Sequence, residues 1–310
     1  MNFLTGQLPE TVLLIGGSGF IGSALATRLA YTNMQVLIPC RRPALSALRV
    51  LPNAKLIQAN VNDEQQLTAL CARLQPHDAV VNLTGILHGH EGQPYGSEFR
   101  QIHVDLPRKL ISAMHQHGLR RLLHISALGA APDGASMYQR SKGDGEQMVK
   151  QSGLDWTVFR PSVVFGRHDH FINLFAKMQK FLPMVPLAGA NVRFQPVFVG
   201  DVSEAILRSL SLSTTIAQVC DLAGPNIYTL KQLVEFAGRL HHQQRPILPL
   251  PGPLAWLQAM IMEHIPGPTL LSRDNLRSMR TDNILPPNVP NCLNSTFGLQ
   301  PTALHPSIWL

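Results

Sequence analysis

A doubly wound parallel α/β sheet with a smaller C-terminal α/β lobe is the fold this sequence predicts, on three observations. Residues Val12 to Gly22 read VLLIGGSGFIG, a short apolar run that breaks into glycines at three-residue spacing (Gly16, Gly19, Gly22) and continues as a helix-like ALATRLA. Apolar strand-length runs and amphipathic helical patterns then alternate through the first two-thirds of the chain. That order marks βαβ units, and hence a parallel sheet with helices on both faces. Composition supplies the core: of 310 residues, 45% are hydrophobic and only 15% charged, against roughly 25% charged in ordinary soluble chains.

Taken in order, strands are expected at Thr11–Ile15, Gln35–Pro39, Lys55–Ala59, Ala79–Leu83, Arg121–Ser126 and Trp156–Arg160, with helices at Ile21–Ala30, Glu64–Leu74, Phe99–His117 and Met137–Gln151. The pattern changes after Arg160. A turn over Pro161–Gly166 leads to a helix expected around Phe171–Phe181, a proline-rich link, and RFQPVFVGDV, read as a strand running into a helix with Asp201 as its N-cap. A strand at Gln218–Leu222 and a helix at Leu230–Leu240 follow, and from Arg245 the chain is rich in proline and poor in periodicity. The expected division is a core over 1–165, continued by roughly 190–223, and a lobe made of 166–189 and 224–310. Leu254 to Ile265 is strongly apolar at helical period; burial in the lobe is the expectation, and docking on a membrane or a respiratory assembly the alternative.

Charge and cysteine usage narrow the classes. Twenty-six Lys and Arg against nineteen Asp and Glu give a formal net charge of +7, which favours an anionic partner. Its arginines are scattered and not interleaved with aromatics, so nucleic acid is not the expected one. Cys40, Cys71, Cys220 and Cys292 lie far apart without a CxxC pair, as expected for a reducing, cytoplasmic setting. The opening MNFLTGQLPE has neither a basic nor an apolar leader segment, and no run of about eighteen apolar residues occurs, so neither export nor a membrane span is expected. Peripheral contact at the inner face of a membrane stays open. His168-Asp169-His170 and His241-His242 lack a third ligand at a metal-binding spacing and read as polar loop and helix-end residues.

The strand ends carry the chemistry, because ligands of doubly wound sheets bind beyond the carboxyl ends of the strands. At the first, glycine lets backbone approach a pyrophosphate, while the turn and helix start, Ser18, Gly19, Phe20, Ile21 and Gly22, supply N–H groups and the positive end of a helix dipole. The site expected is one for a dinucleotide. Arg41 and Arg42 follow the second strand, where an acidic residue would accept from ribose hydroxyls; two guanidinium groups instead suit a 2′-phosphate, so NADP(H) is expected over NAD(H). Asn60 and Val61 after the third strand are placed for the adenine edge, and Leu83, Thr84 and Gly85 after the fourth for the nicotinamide ribose. Ser126 closes the fifth strand, and Tyr138 and Lys142 stand four apart on the next helix, on one face. There the ammonium can lower the phenol from its ordinary value of about 10 toward neutrality and hold the ribose, with Ser126 orienting a substrate oxygen.

With these marks in place, GGSGFIG, Ser126, Tyr138-x-x-x-Lys142 and the Arg160-Pro161-Ser162 turn, the chain resembles the short-chain dehydrogenase/reductase superfamily in its extended and atypical branches. RPSVVFGRHDHFINLFA, LPMVPLAGANVRFQPVFVGDVSEAI and the late LRSMRTDN make it resemble, more closely, the group related to the nucleotide-binding accessory subunit of mitochondrial complex I. This likeness runs from Thr11 to about Asn283 and is most specific between Arg160 and Ile206. It implies a Rossmann core, a small C-terminal lobe, tightly held NADP(H), and a Pro161–Val164 turn, with Pro161, Val163 and Val164, flanking the nicotinamide. The chain departs from the usual pattern at Asn60, where an aspartate is common, and at Gly143 and Gly145, which are expected to loosen the helix carrying the Tyr–Lys pair.

Three functions follow. The first is an NADP(H)-dependent oxidoreductase acting on a carbonyl or alcohol, a hydrophobic one given the apolar lobe, in which Tyr138 moves the proton, Lys142 tunes it and Ser126 holds the substrate. The second is a binding protein, a subunit or assembly factor of a quinone-linked respiratory system. The third is an epimerase or dehydratase that uses the same cofactor transiently.

Overall fold

The computed structural model describes residues 8–43, 46–240, 242–264 and 271–309; His241 and Ile265, named above, lie outside them. Seven strands form one parallel sheet: β1 (Thr11–Ile15), β2 (Gln35–Cys40), β3 (Ala54–Gln58), β4 (Ala79–Asn82), β5 (Arg121–Ile125), β6 (Asp155–Pro161) and β7 (Gln218–Leu222). Their order across the sheet is β7-β6-β5-β4-β1-β2-β3. The chain leaves β1 toward β2 on one side and later returns to place β4 on the other, which opens a crevice at the carboxyl ends of β1 and β4.

Both faces of the sheet are covered, which is why its strands are apolar on successive residues. On one face Val12, Leu14, Val36 and Ile38 pack under α1 (Phe20–Leu29) and a later helix at Val199–Ser209. On the other Leu13, Ile15 and Val80 pack under α2 (Glu64–Cys71), a helix at Leu106–Gln116 and one at Met137–Lys150. Burying a leucine or isoleucine side chain contributes about 1.5–3 kcal/mol, so each layer stabilises the sheet that positions the crevice. A third apolar cluster, around Phe165, Ile172, Val185, Phe194, Leu233 and Phe236, builds the lobe beside the sheet.

The structure departs from the sequence reading at four places. Asp201 lies inside the helix Val199–Ser209, whose N-cap is Phe198; its carboxylate accepts instead from the Thr302 backbone N–H (2.7 Å) and hydroxyl (2.9 Å), tying down the C-terminal segment. The expected helix Phe99–His117 starts as Ser97–Phe99 and passes through a π-helical stretch, Arg100–Asp105, before Leu106–Gln116. Gly143 and Gly145 do not loosen their helix. A Cβ at Gly143 would run into the Ala131 backbone and one at Gly145 into the His103 carbonyl oxygen, so both glycines exist to let backbones touch. Lastly, the apolar helix Gly252–Glu263 buries only Ala255 and Ala259; its large apolar side chains face outward.

Candidate functional site

At the end of β1 the backbone makes a turn that only glycine accommodates. Gly16 has φ +79°, and an added Cβ would lie 3.1 Å from the Leu83 backbone, because β1 and β4 end side by side. Gly22 presses on the Gly16 carbonyl, where a side chain would collide with backbone. The turn is closed by the Gly19 N–H donating to the Gly16 carbonyl at 3.0 Å. α1 then begins with Gly19 as its N-cap and no side-chain cap, while Ser18 and Gly19 are exposed and Phe20 and Ile21 half-buried. An uncapped helix N-terminus beside bare backbone fits a pyrophosphate, since the cradle is left open by the very side chains that are missing.

The next strand ends line the same crevice. Arg41 and Arg42 follow β2 and are exposed. Asn60 and Val61 follow β3; the Asn60 side chain accepts from the Asn62 N–H (3.2 Å) and Asp63 caps α2 through the Gln66 N–H (3.0 Å). After β4, the Leu83 N–H donates to the Ile15 carbonyl at 2.9 Å and the Thr84 hydroxyl to Asn82 at 2.7 Å, which leaves Gly85 exposed. A Cβ there would stand 3.9 Å from Lys142 Nζ and 3.7 Å from His103 Nε2, so Gly85 and the Tyr–Lys helix meet at one point.

The helix Met137–Lys150 presents Tyr138, Lys142 and Glu146 at successive four-residue steps. Lys142 is buried and its ammonium donates to the Ile125 carbonyl at 2.7 Å. Burial pulls its pKa down to about 8, with Glu146 opposing. Tyr138 is half-buried, its ring edge-on to His103 (5.7 Å between centroids) and Phe99 (6.5 Å). The expected lowering of its phenol is not found: loss of hydration pushes it up to about 12. Ser126, expected to orient a substrate oxygen, follows the end of β5. Its buried hydroxyl donates to Glu146 Oε2 at 2.8 Å, and Glu146 is gripped by Arg160 through Nε (2.8 Å) and Nη2 (2.5 Å). A carboxylate two bonds deep in a guanidinium fork holds that serine for itself.

Four residues that sequence reasoning missed shape this end. His103, in the π-helical stretch, accepts from the Ile86 N–H at Nε2 (3.0 Å), so its Nδ1 carries the hydrogen and donates to Ser141 (2.8 Å), which donates to the Tyr138 carbonyl (3.0 Å). Burial pulls the imidazole down to about 2, in keeping with a neutral ring. Asp274, buried in the lobe, accepts from the Met137 (2.7 Å) and Tyr138 (3.0 Å) N–H groups and so caps the Tyr–Lys helix from across the crevice. Asn283 accepts from the Ser162 hydroxyl (2.6 Å) and Val163 N–H (3.1 Å) and donates to the Leu128 carbonyl (3.2 Å), which pins the turn of Pro161, Val163 and Val164 to the end of β5. Glu146 alone carried a local signal, its step of four from Lys142; the others reach the site over long sequence separations.

Comparison with known proteins agrees with this architecture. Residues 12–220 match the model of the NAD dependent epimerase/dehydratase family. The chain is 28% identical over 299 residues to the mouse (Mus musculus) mitochondrial NADH dehydrogenase [ubiquinone] 1 alpha subcomplex subunit 9, covering 94% of this chain and 77% of that protein. Its counterpart in Arabidopsis thaliana is 26% identical, covering 89% and 71%. Among solved structures, Pal from Bacillus thuringiensis superposes with a TM-score of 0.74 at 13% identity over 96% of both chains. The UDP-glucose 4-epimerase of Thermus thermophilus, solved with NAD, superposes at 0.64 and 18% identity, over 87% of this chain and 99% of that one. The Rossmann core, its glycine turn and the span of the family match together place this chain in the NAD dependent epimerase/dehydratase family.

Proposed function

We propose that this protein holds NADP(H) in the crevice between β1 and β4 and serves as a nucleotide-binding subunit or assembly factor of a respiratory, quinone-linked system. The observation that carries the reading is a contrast within one site. The binding half is supported by an open glycine cradle, an uncapped helix and two exposed arginines at the end of β2. The catalytic half has less support, because the Ser126 hydroxyl donates to Glu146 and burial raises the Tyr138 phenol. In this reading the N–H groups of Ser18 to Gly22 hold the pyrophosphate, Arg41 and Arg42 the 2′-phosphate, Asn60 and Val61 the adenine edge, and Gly85 and Lys142 the nicotinamide ribose. Bound NADP(H) would supply redox chemistry at the nicotinamide. The likeness to complex I subunits supports the respiratory setting.

A second reading, an oxidoreductase for a carbonyl or alcohol, keeps one specific support: Tyr138 and Lys142 are both present on one helix face at the crevice. The cofactor choice is tested by titrating the protein with NADPH and NADH and repeating both with Arg41→Ala/Arg42→Ala. Charge-assisted hydrogen bonds contribute about 1.5–3 kcal/mol, so NADPH affinity should fall roughly 10–100-fold and NADH affinity hardly change. Equal losses for the two nucleotides would remove the 2′-phosphate assignment, and no binding of either by the wild type would remove the function.

A further inference from the structure

We propose that the outer face of the lobe docks on an anionic bilayer surface. Three elements that are far apart in sequence make this face. The end of the helix Ile172–Phe181 runs into Phe181, Leu182 and Met184; the short strands Val185–Leu187 and Ile247–Pro249 pair in parallel and lift Leu248 beside them; and the helix Gly252–Glu263 presents Leu257 and Ile261. The Gln258 side chain donates to the Pro186 carbonyl at 3.2 Å and the Leu250 N–H to the Leu187 carbonyl at 2.9 Å, so helix and strand pair form one surface. Phe181 is 78% exposed, Leu248 51% and Ile261 54%. Large side chains this open to water, grouped on one side of a protein, mark a surface that something covers.

Charge selects the occupant. The sequence has no Asp or Glu between Asp169 and Asp201, or between Glu235 and Glu263, the two stretches that supply every apolar residue of this face. Its exposed charges are basic. Lys177 and Lys180 lie on the last turns of Ile172–Phe181, with Lys180 Nζ 5.9 Å from the Phe181 ring, and the Arg245 guanidinium is held at the Gln179 carbonyl (3.2 Å). The carboxylates at the far end of the helix, Glu263 and Glu91, are paired with Arg273 and Arg277, which lie over the Trp256 ring. Apolar side chains from stretches free of Asp and Glu, with lysines beside them, match the interfacial zone of a membrane containing anionic lipid: the apolar groups enter the headgroup boundary and the cations meet phosphates. Among the described residues no helix is long and apolar enough to cross a membrane, so the contact is one of lying on the surface. Lys177 and Lys180 belong to a segment remote in sequence from the apolar helix and linked to it through Arg245 and the paired strands. This inference does not rest on the nucleotide reading.

The test is co-sedimentation of the full chain with vesicles of equal parts phosphatidylcholine and phosphatidylglycerol, beside vesicles of phosphatidylcholine alone. Binding to the mixed vesicles, weaker on phosphatidylcholine and reduced by salt, is expected. Lys177→Gln/Lys180→Gln should lower partitioning roughly tenfold or more, from the attraction of two cations to the surface. Leu248→Asp/Leu257→Asp should lower it by at least about tenfold, because apolar area then enters the interface with a charge attached. All four positions are solvent-facing, so both variants should keep the wild-type melting temperature, which separates loss of docking from loss of fold. The proposal is overturned by no binding to mixed vesicles, by equal binding to phosphatidylcholine alone, or by binding that neither variant weakens. Self-association without vesicle binding, abolished by Leu248→Asp/Leu257→Asp, would also overturn it and assign the face to a second copy.

Discussion

Replacing Gly145 by alanine sets two physical effects against each other with opposite signs. Helix propensity favours alanine over glycine in a helix interior by about 0.8–1.0 kcal/mol, so a reading of the helix in isolation expects a gain. The packing expects a loss. An added Cβ would approach the His103 carbonyl oxygen closer than 3.0 Å, a separation real Cβ atoms essentially never show. The obstacle is backbone in the π-helical stretch, which cannot rotate away as a side chain would. Overpacking of this kind costs about 1–3 kcal/mol. Displacing His103 also strains its bonds to the Ile86 N–H and Ser141, worth about 1 kcal/mol each. The net is a loss of about 2–4 kcal/mol after the propensity gain. With an unfolding entropy of about 2 cal/mol/K per residue, that lowers the melting temperature of this chain by about 3–6 °C. Differential scanning calorimetry of wild type and Gly145→Ala reads it directly. An unchanged or raised melting temperature would refute the claim that this glycine is a contact between backbones.

Two further predictions follow from the Tyr–Lys helix. Tyr138→Phe removes a hydroxyl with no hydrogen-bond partner among the described residues, so NADPH affinity should stay within about threefold of wild type and stability within about 0.5 kcal/mol; a loss of about two orders of magnitude in NADPH consumption with a quinone or aldehyde acceptor would instead establish the oxidoreductase reading. Lys142 gives a stability term with a definite sign in pH. Its pKa is about 8 in the fold against 10.5 as the ordinary value, so the unfolded chain keeps a proton that the folded one releases. The penalty of burying the cation is therefore present below pH 8 and is relieved as pH rises from about 8 toward 10.5, where stability should climb. Tyr138 opposes only above its ordinary value of 10.0, but the thiols of Cys40, Cys71 and Cys220, raised in the fold from 9.0, also draw stability down between pH 8 and 10. The lysine is therefore read as the difference between wild type and Lys142→Met in denaturant titrations over that range. Lys142→Met should flatten that rise, and an equal rise in the variant would assign it to another group.

Local pattern was enough for the sheet, the glycine turn and the Tyr–Lys helix, because each is written in consecutive residues. A buried parallel strand must be apolar on successive positions, and VLLI is. A turn that meets a neighbouring backbone must be glycine, and Gly16 and Gly22 are. Four-residue spacing places side chains on one helix face whatever the rest of the chain does. Even where pattern misled, the cause was local reasoning applied to a long-range fact: Gly143 and Gly145 look like weak helix positions until the segments they touch are known.

What the amino-acid order determined alone is the Rossmann core and the place on it where a dinucleotide fits, since propensity, periodicity and turn chemistry act within a few residues. Only the tertiary structure decided what the site's polar groups do. Ser126 belongs to Glu146; Asp274 and Asn283 cross from the C-terminal lobe to hold the Tyr138 helix and the Pro161–Val164 turn, and Gln258 ties the apolar helix Gly252–Glu263 to the strand Val185–Leu187. The physical reason is that hydrogen bonds and desolvation depend on which groups meet in space, and contacts separated by a hundred residues leave no period in the sequence to read.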